Sequence, residues 1–258
     1  MGEAGNGVDE TQFLDMPLLL LRMPAPLKAV MAEFLATEFD CRVSALRLGT
    51  RSMVRSWEGW IRTAGLPTRG ALAKDVVITL GFYIPPPEQV PDGEEDEEEG
   101  NGQLGLKSID VFIPAAELRK FVDAGADSGS SKRKSTGATW EDDVAKRRKL
   151  AGRLHEEGWE WRRTTADEEE SSPLEEQHFT EALGRYIDKH LGLNLFHPGV
   201  RITKIACGGF VISEGRIKVF APADLGEGDS SPSPSGQRAA VCELLTGMVE
   251  KAAGEVKN

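Results

Sequence analysis

The chain has 258 residues, of which 40% are apolar and 28% charged, and its net charge is -11. That length suits one large domain or two small ones, with enough apolar material for a core in part of the chain. The acidic balance argues against nucleic acid as the main partner, because phosphate binding needs a positive field, although it leaves room for a local basic patch. Residues 1–12 are small and polar and read as a disordered tail. Pro17 to Met23 reads as a fully buried strand. A helix is predicted from about Ala25 to Phe39, with Leu27, Val30, Met31, Phe34 and Leu35 on one face. Cys41 to Leu48 alternates like a half-buried strand. Thr50 is placed to cap the next helix, Arg51 to Ala64, which Gly65 ends. Its stripe is Met53, Val54, Trp57, Trp60, Ile61 and Ala64.

Val76 to Ile84 alternates with Val76, Ile78, Leu80, Phe82 and Ile84 on one face, and Leu104 to Ile113 is its predicted partner strand. The acidic run from Asp92 to Glu99 between them repels itself and cannot pack. Pro114 opens a short helix that buries Leu118, Phe121 and Val122. The stretch from Asp123 to Glu170 is rich in Ser, Gly and charge and reads as an insertion, with a helix over Val144 to Glu157 and two tryptophans, Trp159 and Trp161, whose docking place is undefined. Ser172-Pro173-Leu174-Glu175 matches a capping box, and its helix should run to Leu191 and stop at Gly192. Phe179, Ala182, Leu183, Tyr186, Ile187 and His190 share its face. Strands follow at Val200 to Cys207, Phe210 to Ser213 and Arg216 to Ala221, the last two joined by a tight Glu214-Gly215 turn. After a polar loop from Pro222 to Gly236, a last helix spans about Gln237 to Ala252.

The predicted fold class is α+β, a mixed or antiparallel sheet flanked by helices, with long disordered acidic and basic loop insertions. The predicted organisation is a disordered tail (1–12), an α+β unit (13–123), a charged insertion (124–170) and a helix–strands–helix unit (171–258) packing on the same sheet system. The apolar run at Met16 to Met23 is too short to span a bilayer, and no basic stretch precedes it as a signal peptide needs. Cys41, Cys207 and Cys242 are odd in number and far apart, which suits a reducing compartment.

No motif points to catalysis. Gly100-Asn101-Gly102-Gln103-Leu104-Gly105 fits G-x-G-x-x-G by letter, but an acidic loop precedes it and a strand follows, so no helix N-terminus is offered to a pyrophosphate. His155, His178, His190 and His197 have no metal-ligand spacing. The expectation is a non-catalytic protein without a cofactor or a metal. Lys132-Arg133-Lys134 and Lys146-Arg147-Arg148-Lys149 flank a short spacer and resemble a bipartite nuclear-import signal, two cationic clusters matched to two acidic sites. The alternative is that the cluster over 132–149 binds nucleic acid directly. Ser171 and Ser172 lie between acidic runs and are candidates for phosphorylation by an acid-directed kinase.

The run from Met31 to Leu48, with Phe39-Asp40-Cys41, followed by Ser56-Trp57, resembles the centromere protein L (CENP-L) family. Val76 to Pro85, Leu106 to Phe121, and Leu174 to Phe220 continue the likeness, the last including Arg201-Ile202-Thr203-Lys204-Ile205 and Glu214-Gly215-Arg216-Ile217-Lys218-Val219. The order and spacing of these segments carry it. The acidic loop and the 123–170 insertion depart from the family pattern, and the family's N-terminal part has no counterpart before Pro17. The resemblance implies a nuclear, centromeric scaffold of the inner kinetochore, within the constitutive centromere-associated network. It implies pairing with centromere protein N and other inner-kinetochore subunits, contact with centromeric chromatin indirectly, and no membrane; homodimerisation stays open. From the residues themselves, short strands and hairpins offer unpaired edges for β-augmentation. Arg216, Ile217, Lys218, Val219 and Phe220 are the expected partner-binding edge strand.

Overall fold

The computed structural model describes residues 17–40, 42–66, 73–83, 106–126, 150, 156–162, 177–220 and 234–256. Two compact units emerge, one from Leu46 to Leu244 and one from the two chain ends, up to Ala45 and from Leu245. The larger unit contains α2 (Thr50–Ala64), β1 (Val76–Phe82), β2 (Ser108–Ile113), α3 (Ala115–Ala126), α4 (His178–Leu191), β3 (Val200–Ala206), β4 (Phe210–Ser213) and β5 (Arg216–Val219). It also holds the first half of α5 (Pro234–Val256).

The five strands form one antiparallel sheet in the order β2-β1-β3-β4-β5. Alternation sets which face is apolar, and here one face is buried across the three central strands and half-buried along most of the two edge strands. Val76, Ile78 and Leu80 on β1, Ile113 on β2, Val200, Ile202 and Ile205 on β3, and Phe210 and Ile212 on β4 are all in the core. The skipped parity between Ile202 and Ile205 marks a bulge, where the β1–β3 register shifts between Thr79 and Leu80. The α+β expectation holds.

Helix α2 packs against β3 and α4, and α3 packs against α4. Met53, Val54, Trp57, Trp60 and Ala64 of α2 are buried, as its 3.6-residue period predicts. The Trp57 ring stands edge-on to Phe179 at 5.3 Å and tilted to Phe210 at 6.4 Å, so one side chain joins α2, α4 and the sheet. On α4, Phe179, Ala182, Leu183 and Ile187 are buried, whereas Tyr186 and His190 face outward and stack on each other at 4.4 Å. On α3 the same period holds, with Leu118 buried and Phe121 and Val122 half-buried.

Several local expectations change. Residues 17–22 form no strand, and Leu19 and Leu20 are exposed. β-propensity gives a segment the capacity to pair, but pairing also needs a free ladder, and the sheet forms without this run. Residues 42–49 form no strand either; their link to the sheet is the Leu48 N–H donating to the Glu214 carbonyl at 2.7 Å. Cys41 lies outside the described residues. In the smaller unit, α1 (Ala25–Glu38) is a helix as expected, but none of its residues is buried, and Leu27, Val30 and Phe34 are exposed. Thr50 is the first residue of α2 rather than its cap, which is Gly49. Helix α4 begins at His178, with Gln177 already outside helical geometry, so the capping box at Ser172 does not start it. The polar loop placed from Pro222 to Gly236 ends earlier than expected, because α5 starts at Pro234.

One buried charge ties the layers together. Glu58 of α2 is only 8% exposed, and its Oε1 accepts the Thr180 N–H at 2.8 Å and the Thr180 hydroxyl at 2.6 Å. A carboxylate from a neighbouring helix thus caps the N-terminus of α4, where the first N–H groups have no partner of their own. Burial pushes the Glu58 carboxyl above its usual value, against the opposing pull of these hydrogen bonds. The folded state therefore holds this proton to a higher pH than the unfolded chain does. Well below 4.5 both states are protonated; as pH rises through it the unfolded chain releases its proton first, so this group's contribution to stability falls until the folded carboxyl has also ionised and is level beyond. Glu58→Gln keeps an acceptor and removes the titration. Relative to wild type its urea midpoint is expected to rise from mildly acidic to neutral pH, and a pH-independent difference would refute this account.

Candidate functional site

The β4–β5 hairpin closes through the two-residue turn Glu214-Gly215, with Ser213 opposite Arg216, Ile212 opposite Ile217, Val211 opposite Lys218 and Phe210 opposite Val219. The Phe220 N–H donates to the Gly209 carbonyl at 2.9 Å, which continues the ladder one residue past the strand. In an antiparallel pair the bonding residues alternate. Residues 216, 218 and 220 therefore bond to β4, and the N–H and C=O groups of Ile217 and Val219 point away from it. β5 is the outermost strand, with β4 as its one neighbour among the described residues. The Arg216 to Phe220 segment thus lies at a sheet edge with two residues' worth of main-chain donors and acceptors turned outward.

The hairpin is held firmly at its other end. Gly209 sits where a Cβ would lie 2.0 Å from the Trp60 ring, so only glycine lets the hairpin close down on that indole. Trp60 in turn stands 5.0 Å from Phe210. Cys207 next to this turn donates its N–H to the Phe210 carbonyl at 2.9 Å, and its thiol accepts the Phe210 N–H at 3.4 Å. Burial pushes this thiol up, which favours its protonated form.

Side chains on β5 divide by face. Ile217 and Val219 are half-buried on the core side, while Arg216 and Lys218 are exposed on the other. The Lys218 ammonium lies 5.0 Å from the centre of the Phe220 ring, and that of Lys74 lies 5.7 Å from it. Lys204 pairs across β3–β4 with Ser213, whose partner is Arg216, so Lys204 and Arg216 share one cross-strand row. Lys204 was legible as an outward position of an alternating strand and lies two strands in from the edge, whereas nothing in the sequence placed Lys74 beside it.

Lys132, Arg133, Lys134, Lys146, Arg147, Arg148, Lys149, Ser171 and Ser172 lie outside the described residues, as do the Gly100–Gly105 motif and His155. Among the described residues no group of three His, Cys, Asp or Glu side chains could hold a metal, and no helix is long and apolar enough to cross a membrane.

A second assembly was missed from the sequence except as two unplaced tryptophans. Residues 156–162 form a clasp over the start of α2. Gly49 has no side chain to cap the helix, and the Glu156 carbonyl accepts the Arg51 N–H at 3.1 Å instead. A Cβ on Gly49 would lie 2.4 Å from that carbonyl oxygen. The Thr50 hydroxyl donates to the Glu157 carbonyl at 2.6 Å and accepts the Ile202 N–H at 3.2 Å, which links clasp, helix and sheet. Trp159 and Trp161 are 3% and 4% exposed; Trp159 stands edge-on to Phe196 at 5.0 Å, and the Arg162 guanidinium lies 4.1 Å from the centre of that ring. Arg162 also pairs with Glu181 of α4, and Glu157 lies 3.3 Å from Arg201. These contacts are structural, and no reactive group converges in them.

No curated protein matches this chain closely. The family model described as centromere protein L matches residues 2–253, a span that reaches ahead of Pro17 and includes both the acidic loop and the 123–170 insertion. An edge-bearing α+β chain matched over almost its whole length by that family leads to one conclusion: the chain belongs to the centromere protein L family of inner-kinetochore subunits.

Proposed function

We propose that this chain pairs with centromere protein N through the open edge of β5, and that the pair helps to assemble the constitutive centromere-associated network on centromeric chromatin. Family membership supplies the inner-kinetochore role. The observation that supports the mode of pairing is the outward set of main-chain groups at Ile217 and Val219, on a strand with no neighbour beyond it among the described residues. Main-chain bonds along such an edge give affinity, and alternate side chains give specificity. The protein acts as a scaffold, and chromatin contact runs through its partners.

The test is co-expression with centromere protein N, followed by size-exclusion chromatography with light scattering. A stable one-to-one complex is expected, and two separate folded species would overturn the pairing. Val219→Pro sharpens the test. The Val219 N–H points away from β4, so proline there removes an edge donor and spares the hairpin ladder. Its affinity for centromere protein N is expected to fall about tenfold or more, with an unchanged circular dichroism spectrum. Unchanged affinity in the folded variant would remove β5 from the interface.

A further inference from the structure

We infer that the β5 edge selects a partner strand in which carboxylates alternate with apolar residues, and that its charges reject a second copy of this chain. The inference rests on the proposed edge reading and adds the chemistry of the occupant.

Three cations stand on or beside the outer face at this edge, Lys74, Arg216 and Lys218, and Lys204 lies on the same face two strands in. Arg216, Lys218 and Lys204 are exposed, and Glu214 in the turn is the acidic neighbour. On the core side, Ile217 and Val219 extend the buried row begun by Ile212 and Phe210. In antiparallel pairing, directly opposed residues point to the same face, at about 4.5–5.5 Å between Cβ atoms. A strand added here must therefore place apolar side chains opposite Ile217 and Val219, and it gains most from carboxylates opposite Arg216 and Lys218.

A second copy fails this requirement. Two β5 strands related by a two-fold axis can use their outward groups in a register centred on residue 217 or on residue 218. The first sets Arg216 against Lys218 of the other copy, twice over. The second sets Lys218 against Lys218. Like charges directly opposed destabilise a strand pair, and Lys74 beside Phe220 adds to the same positive field. A register centred on Val219 avoids the clash but uses only the last residue of β5. Heterotypic pairing is favoured by repulsion of the self-pair as well as by attraction of the partner.

Lys218→Glu gives an unusual test. In the register centred on 217 it sets the introduced carboxylate of each copy against Arg216 of the other, so both repulsive contacts become attractive. With the full chain in light scattering, the wild type is expected to stay monomeric at concentrations where Lys218→Glu dimerises, the self-affinity rising about tenfold or more. Arg216→Glu combined with Lys218→Glu restores like-charge opposition and is expected to stay monomeric. Both variants are expected to bind centromere protein N about tenfold or more weakly, and added salt is expected to weaken the wild-type complex. A wild type that dimerises as readily as Lys218→Glu would overturn the inference. If the charge variants pair normally with centromere protein N while Val219→Pro does not, charge selection falls and the edge reading stands. If Val219→Pro also pairs normally, both fall. If Arg216→Glu with Lys218→Glu loses binding to a DNA duplex but keeps its protein partner, the cations serve nucleic acid and the inference is overturned.

Discussion

Trp57→Ala is expected to lower the unfolding free energy by about 3–5 kcal/mol, the range for deleting a large aromatic side chain from a close-packed core. The site has little room to collapse. Trp57 is 2% exposed and is the point where α2 meets both Phe179 of α4 and Phe210 of β4, so the cavity would be walled by three elements of regular structure. Its indole N–H has no hydrogen-bond partner among the described residues. Trp57→Phe therefore sheds an unsatisfied donor while losing volume, and it is expected to cost clearly less than Trp57→Ala. Urea denaturation of both variants checks this. Equal losses would mean that the polar atom, rather than the packing of three elements around the ring, dominates the site.

The reach of the sequence follows from where the physical signal is local. Alternation located β1, β3, β4 and β5 because a sheet buried on one face imposes a period of two on each strand. The helical period located α2 and α4 for the same reason, and Gly65 and Gly192 marked their ends. The failures share another cause. Pro17 to Met23 and the segment after Asp40 carry strand-like residues, yet a strand exists only where another ladder accepts it. The apolar face of α1 has the right spacing for burial, and spacing alone does not supply a partner surface.

The candidate site was legible in part. The hairpin around Glu214-Gly215 and its β5 strand could be read from turn chemistry. Strand order could not, because β1 finds β3 across a separation of more than a hundred residues, and that pairing leaves β5 outermost. Lys74 reaches Phe220 for the same reason: it precedes β1 in the chain but stands by the hairpin in space. Glu58 reads as an ordinary helix carboxylate until α4 arrives with Thr180. Each of these depends on contacts between residues far apart in sequence.

The clasp yields the second large effect, and its signature is non-additivity. Trp159→Ala and Trp161→Ala each remove a buried indole, which in a fixed core costs about 3–5 kcal/mol. Residues 156–162 form one short segment, however, and can leave the surface as a unit without unfolding the sheet. The cost of either substitution is then capped by the free energy with which the segment docks. Once the first tryptophan is gone and the segment is released, losing the second costs little. The double variant is therefore expected to be barely less stable than the worse single variant, with a coupling of about 1–3 kcal/mol between them. Release would also free the Arg51 N–H and the Thr50 hydroxyl, so amide exchange at the start of α2 should quicken in all three variants while the sheet stays protected. Urea denaturation with limited proteolysis separates the alternatives. Cleavage within 156–162 in each single variant, together with sub-additive losses, is the expected result. Fully additive losses with the segment still resistant to protease would make the two tryptophans independent parts of the main core.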